Sequence, residues 1–322
     1  MTTQPARISP VDGKTDVYLI LGDPVEQVRA PESFNLIFAT LGLNAVVVPA
    51  QVAPADVLNF VKAVFTARNI QGLLLTIPHK SVVMPLLAST GPLAKVAGAV
   101  NALRLNANGE IEGDLFDGEG LVSSLNYYGM VYAGRRVLVL GAGGGAAAIG
   151  ASLVGAGSKV ALGAASELAF YDPTPGKAQE LADRLNGYST AVSAAASNDA
   201  ADYDLVINAS PLGLQASDPM PCDVARIAPH AAMMDILMKN QPTPWVRAGR
   251  ARGLNAQPGF EMMIQQADLY LRFFGLGEAA DLVQRDASFV REAIYPAALA
   301  GEIHRSRPPD LVASGYSASQ AQ

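Results

Sequence analysis

Apolar and polar positions in the first third of the chain fall into alternating blocks: DVYLILG, APESFNLIFATLGL, NAVVVPAQV, PADVLNFVKAVFTAR and IQGLLLTIP. The short blocks are continuous apolar runs of strand length, and the longer ones repeat their apolar residues at helical spacing. Strands separated by helices of about ten to fifteen residues predict βαβ units and a parallel sheet. Pro31 suits the first turn of its helix. After Lys80 the pattern gives two helical stretches, KSVVMPLLAS and PLAKVAGA. NALRLNANGEIEGDLF follows, two strands about an Asn-Gly turn at Asn108 and Gly109.

A second alternation begins at Arg136: RRVLVLG, a Gly/Ala-rich helix, ELAFYD, the helix GKAQELADRL, DLVINAS and AAMMDIL. FEMMIQQADLYLRFFGL and AADLVQRDASFVREAIYPAALAGEI read as amphipathic helices without a sheet of their own, expected to pack on the first unit or the hinge. The fold class predicted is α/β in two domains. Residues 1–120 with 261–304 form an N-terminal α/β domain with a parallel sheet, and residues 121–260, whose first strand runs through the Gly-rich turn GAGGGA into a helix, form a Rossmann-type dinucleotide-binding domain. The Ser-, Pro- and Ala-rich residues 305–322 form a flexible tail.

Composition narrows the partners. Half of the 322 residues are hydrophobic and 16% are charged, and the formal net charge is -6 with no long Lys/Arg run. That balance works against nucleic acid or an anionic membrane surface. A single cysteine, Cys222, excludes an internal disulfide and a Cys/His metal cluster. The N-terminus MTTQPARISPVDGK lacks the apolar core of a secretory signal, so the expected compartment is the cytoplasm. Residues 137–157 are uncharged and long enough to span a bilayer, but seven glycines there favour a strand, a tight turn and a helix.

That turn is Gly141-Ala142-Gly143-Gly144-Gly145-Ala146, a G-x-G-x-x-A pattern after a strand and before a helix. It lets the backbone approach a pyrophosphate, which sits on the free N–H groups of the helix start. The next strand ends on Asp172, where such folds place an acid on the adenosine ribose. A carboxylate there repels a 2′-phosphate and no arginine follows in DPTPGK, so NAD is expected over NADP. Asp172-Pro173 also reads as a plain turn, since it lies further from the glycines than the usual ~20 residues. The extra length is in ASLVGAGSKVALGAAS, as a longer helix or a loop.

Residues 73–82, LLLTIPHKSV, deliver a lysine just past an apolar strand. Open α/β sheets bind ligands beyond the carboxyl ends of their strands, and an ammonium beside a carboxylate can take and return a hydroxyl proton. Alone, Lys80 reads as a solvated helix-start lysine. Asp117, which follows the strand EIEGDLF, reads either as its acidic partner or as a helix N-cap. His79 reads as structural, and no histidine cluster forms with His230 or His304.

TIPHK (76–80), GAVN (98–101), G-x-x-x-DG (113–118), GAGG (141–144), VINASPLG (206–213) and GFEMMIQQA (259–267) occur in one order over residues 16–290. Together they closely resemble the shikimate and quinate dehydrogenase family. The resemblance implies a substrate domain built from the N-terminal third and C-terminal helices, a nucleotide domain between them, and catalysis in the cleft. It implies Lys80 and Asp117 as the catalytic pair, with Asn101, Gln266 and Thr76 at the substrate. Asn208, Ser210 and Gly259 would lie along the cofactor.

The chain departs from that pattern where the family's first loop carries two serines that grip the substrate carboxylate. Here residues 22–31 read GDPVEQVRAP, with Val28 and Ala30 at the serine positions. Leu74, Leu115, Phe116 and Met238 likewise replace polar family residues. Each lost charge-assisted hydrogen bond is worth roughly 1.5–3 kcal/mol, so losing both serines is expected to weaken shikimate turnover by about 10²- to 10⁴-fold. Arg29 is either a substitute clamp, with Gln27 beside it, or a solvated loop charge.

The function expected is an NAD-preferring or NADP-using oxidoreductase that interconverts a ring secondary alcohol and its ketone. It would work on a small ring hydroxy acid, as a monomer or homodimer. Two rival readings are a dinucleotide-binding sensor of little activity and a folate-type dehydrogenase on a similar plan.

Overall fold

The computed structural model describes residues 11–215 and 217–302. The expected tail and His304 lie outside the described residues. The first elements are β1 (Asp16–Gly22), α1 (Ala30–Leu41), β2 (Ala45–Gln51), α2 (Val57–Val64) and β3 (Ile70–Leu75). β1 pairs in parallel with β2 on one side and β3 on the other. Pro49 lies inside β2 opposite Ile20 and is tolerated there because β2 is the edge strand.

The helical stretch expected after Lys80 is shorter than its pattern. α3 (His79–Val82) is a single turn, and Pro85 starts a fresh 3-10 turn at Met84–Leu86 because it has no N–H to continue the helix. Then come β4 (Ser89–Thr90), α4 (Pro92–Ala97), β5 (Ala102–Leu105) and β6 (Ile111–Asp114). The Asn106 side chain accepts the N–H groups of Asn108 and Glu110 and shapes the hairpin turn. β5 runs antiparallel to both β3 and β6, so the first sheet, ordered β2-β1-β3-β5-β6-β4, is mixed. The parallel pairing expected holds for β1, β2 and β3, and the antiparallel strands come with the hairpin, since so short a connection joins only antiparallel strands.

α5 (Asp117–Tyr127) leads to a second sheet. Its elements are β7 (Arg136–Leu140), α6 (Gly144–Leu153), β8 (Glu167–Tyr171), α7 (Lys177–Leu185), β9 (Ala191–Ala194), β10 (Leu205–Asn208), β11 (Ala232–Asp235), α8 (Pro244–Ala251) and β12 (Asn255–Pro258). The order β12-β11-β10-β7-β8-β9 is parallel throughout, a doubly wound sheet whose strand order reverses beside β7. The extra length after α6 is a loop. It packs along α5, where Glu119 Oε1 accepts the Lys159 N–H at 3.1 Å and Asn126 Nδ2 donates to the Val160 carbonyl at 3.1 Å.

Each of the two long C-terminal patterns is broken. The first gives α9 (Phe260–Ile264) and α10 (Ala267–Phe273), the second α11 (Gly277–Arg285) and α12 (Ser288–Ile294). Gly120 of α5 is pressed against the first break, where an added Cβ would lie 2.3 Å from the Met262 carbonyl oxygen and 2.9 Å from Gln266 Cβ. At the second break Asp286 Oδ1 accepts the Ser288 N–H and so opens α12. Leu271, Ala280 and Val290 of these helices share one core with Tyr18, Phe34, Ile37 and Phe38 of β1 and α1. Among the described residues, no helix is long and apolar enough to cross a membrane.

Candidate active site

Lys80 and Asp117, 37 residues apart, meet: Lys80 Nζ lies 2.5 Å from Asp117 Oδ2. Both side chains are largely shielded, 18% and 9% exposed, which strengthens the attraction over that of a surface pair. Asp117 is the first residue of α5, whose N-cap is Phe116, so the N-cap alternative is replaced by a direct ion pair. Lys80 is positioned by the turn after β3, where Thr76 accepts the His79 N–H and the Lys80 carbonyl accepts the Val100 N–H. His79 is fully buried and its Nε2 donates to the Val52 carbonyl at 2.8 Å. Its ring anchors the lysine's turn.

Asn101 and Gln266 stand beside this pair. Asn101 Nδ2 donates to Gln266 Oε1 at 3.3 Å, and Asn101 Oδ1 accepts the N–H of Phe116, the residue before Asp117. Tyr270, which sequence reasoning passed over, fixes the same residue by donating its hydroxyl to the Asn101 carbonyl at 3.2 Å. Gln266 is the N-cap of α10 and lies at the helix break, so the break brings its amide to Asn101. Thr76 is half-buried, and its methyl packs against Gly22.

In the first loop the polar candidates have local partners. Arg29 Nη2 pairs with Glu32 at 2.7 Å and donates to the Ile294 carbonyl of α12 at 3.3 Å. Gln27 is exposed and folds onto the Pro24 carbonyl at 2.9 Å. Both had been candidates for substrate contact. Local partners, an i,i+3 carboxylate and a nearby carbonyl, hold them elsewhere. Val28 and Ala30 pack on the core that contains Phe116 and Tyr270, and Met238 is half-buried in the loop after β11.

The residues at the glycine turn fit a dinucleotide. Gly141 has φ 111°, and a Cβ there would strike the Ala209 carbonyl oxygen at 2.7 Å. At Gly143 and Gly144 a Cβ would meet nothing within 4 Å, so the backbone is open to a ligand. α6 has no side-chain cap, which leaves its first N–H groups for a pyrophosphate. Gly145 approaches Ile236, and Ala146 is buried beneath the turn.

Asp172 has protein partners on both carboxylate oxygens. Its Oδ2 accepts the Ala142 N–H at 3.0 Å and pairs with Lys177 Nζ at 3.2 Å, while Oδ1 accepts the Thr174 N–H at 3.0 Å. Burial alone would raise its pKa, but the Thr174 and Ala142 N–H groups and Lys177 together hold it below the usual value. Both carboxylate oxygens therefore help to shape the glycine loop. Asn208 is tied into the neighbouring loop. It donates to the Leu212 carbonyl and to Asp235 Oδ1, and it accepts from the Ser210 hydroxyl at 2.6 Å.

Asp235 and Thr243, both missed in the sequence, complete that network through a 2.7 Å hydroxyl–carboxylate bond. Burial pushes the Asp235 carboxyl up to about 6 in spite of its hydrogen bonds from Thr243, Leu237 and Asn208. Gly259 belongs here too, since its Cβ would lie 2.6 Å from the Asp235 carbonyl oxygen.

Comparison with known proteins gives the same assignment. Residues 20–103 match the shikimate dehydrogenase substrate binding domain. The chain is 35% identical over 261 residues to the shikimate dehydrogenase (NADP(+)) of Rubrobacter xylanophilus, covering 80% of this chain and 89% of the relative. The chain belongs to the shikimate/quinate dehydrogenase family. A second relative of the same name, from Acidiphilium cryptum, is 35% identical over 81% of this chain and 91% of its own length. The crystal structure of shikimate dehydrogenase from Aquifex aeolicus superposes with a TM-score of 0.74 at 25% identity, over 86% of this chain and all of that one. Membership makes this chain a shikimate dehydrogenase-like oxidoreductase of the alcohol dehydrogenase type, on a two-domain plan with a Rossmann-type nucleotide domain.

Proposed function

We propose that this family member interconverts a ring secondary alcohol and its ketone on a 3-dehydroshikimate-like framework, with low activity on shikimate itself. The 2.5 Å Lys80–Asp117 pair carries the reading. As the alcohol is oxidised, this pair takes the hydroxyl proton while the carbon loses hydride; in reduction the pair returns the proton. Asn101 and Gln266 orient ring hydroxyls. A nicotinamide dinucleotide bound at the glycine turn supplies the two-electron acceptor or donor.

Absorbance of the reduced nicotinamide, followed over shikimate, quinate and related ring acids, tests this. Turnover of at least one ring alcohol with shikimate among the slow substrates supports it. Tight dinucleotide binding with no turnover across the panel would replace it with the sensor reading, while oxidation of a methylene-pterin alone would favour the folate-type plan.

The cofactor form follows from Asp172 and Lys177. The expectation of NAD rested on a free carboxylate, whereas Lys177 offsets that charge at 3.2 Å. Lys177 opens α7 and is 44% exposed, so it can meet a 2′-phosphate. We read the chain as able to take NADP as well as NAD, in keeping with relatives named for NADP(+). Lys177→Ala is expected to weaken NADPH binding about tenfold more than NADH binding. Fluorescence titration of both reduced cofactors checks it, and an equal loss for the two would leave NAD as the preferred form.

A further inference from the structure

We propose that the preferred substrate is uncharged: a neutral cyclic polyol or hydroxyketone in place of a ring carboxylic acid. The inference rests on the oxidoreductase reading above and narrows its substrate. It starts from the charges around the Lys80–Asp117 pair. Lys80 is neutralised by Asp117, whose side chain is 9% exposed. A second carboxylate brought beside Asp117 would need partners of its own, a cation or a pair of hydroxyl donors such as the serines of the family pattern, because like charges in a shielded site repel strongly.

The loop at residues 22–31 offers no hydroxyl at those two positions, and its one cation is held elsewhere. It starts against the catalytic turn, with the Asp23 N–H donating to the Ile77 carbonyl at 3.1 Å. Its charged residues are Asp23, Glu26 and Arg29, an acidic excess. Arg29 is committed to Glu32 and the Ile294 carbonyl, and Asp23 accepts from Gln51.

Of the remaining side chains only Gln27 is polar, and it is exposed and folded onto the Pro24 carbonyl. Val28 and Ala30 offer no donor, and they pack on the core that includes Phe116 and Tyr270. What the site does offer is neutral. Asn101 and Gln266 are buried amides, and their mutual bond uses Gln266 Oε1 and leaves the Gln266 Nε2 donors outside it. Amides of this kind match ring hydroxyls and carbonyls, which are donors and acceptors without net charge.

The test compares shikimate with its methyl ester and its carboxamide, which keep the ring and its hydroxyls and remove the charge. Wild-type protein saturated with cofactor is assayed by nicotinamide absorbance and by calorimetric binding. The expected result is a kcat/KM for the ester and the amide at least tenfold above that for the acid, with most of the gain in KM. Val28→Ser with Ala30→Ser should move the acid-to-ester ratio at least tenfold toward the acid. Shikimate bound or turned over as well as its ester by the wild type would overturn the inference. If no compound is turned over, the oxidoreductase reading fails, and the calorimetric ranking still decides the question of charge.

Discussion

Lys80→Ala is expected to lower kcat for the best ring alcohol by about 10²- to 10⁴-fold, the range of a positioned general acid–base group, while dinucleotide affinity stays within about twofold. Lys80 sits on the short helix after β3 and meets Asp117 at the start of α5, whereas the dinucleotide fits the glycine turn before α6. The two functions therefore separate by position. A structural lysine would show its loss in thermal stability. A catalytic one shows it in kcat, and a small amine in the medium should restore part of the rate.

Lys80→Arg should rescue little, since the guanidinium is bulkier, prefers two-point contacts and does not give up its proton. Asp117→Asn keeps the shape and removes the charge, and should fall in kcat by a similar factor. Unchanged turnover in Lys80→Ala, measured under saturating cofactor, would sink the proposed chemistry.

How far the sequence led can be judged at particular residues. Position just past a strand marked Lys80 and Asp117 as candidates, and the resemblance of TIPHK and G-x-x-x-DG to the family motifs implied their pairing. The glycine turn was legible because only a close approach needs so many glycines after a strand. Arg29 was not, because its partners are the acid one helical turn away and a carbonyl from the C-terminal region.

Asp172 shows protein contacts that its sequence position did not reveal. Its sequence position suits a ribose contact, but the chain folds the Ala142 and Thr174 N–H groups onto it first. The breaks in the C-terminal helices also escaped, since amphipathic spacing continues across them and the cause of one, Gly120, lies in another helix. β9 and β12, four residues each, lack the apolar runs that marked their neighbours.

Glu261→Ala is expected to cost about 3–5 kcal/mol of unfolding free energy, the loss seen when one member of a buried ion pair is removed. Glu261 is fully buried in α9 and accepts from Arg291 Nε at 2.6 Å, Arg291 Nη2 at 2.9 Å, the Tyr295 hydroxyl at 2.6 Å and Gln265 Nε2 at 3.0 Å. Arg291 is itself 11% exposed and stacks over Tyr127 at 4.8 Å. Burial would lower the pKa of its guanidinium, and the Glu261 carboxylate more than offsets that, holding it above the usual value.

Truncation of Glu261 would leave this largely buried charge without its carboxylate partner. The double variant Glu261→Met with Arg291→Met should lose far less, because two matched apolar groups leave no charge unpaired. A double-mutant cycle in denaturant then gives the coupling. The same pair ties α12 to the helix that ends at Gln265 and Gln266, so the single variant should also raise KM through a displaced Gln266 before it touches kcat. A loss below about 1 kcal/mol in the single variant would mean that α12 is held by its apolar face alone, through Val290 and Ile294, and that the buried charges contribute no net stability.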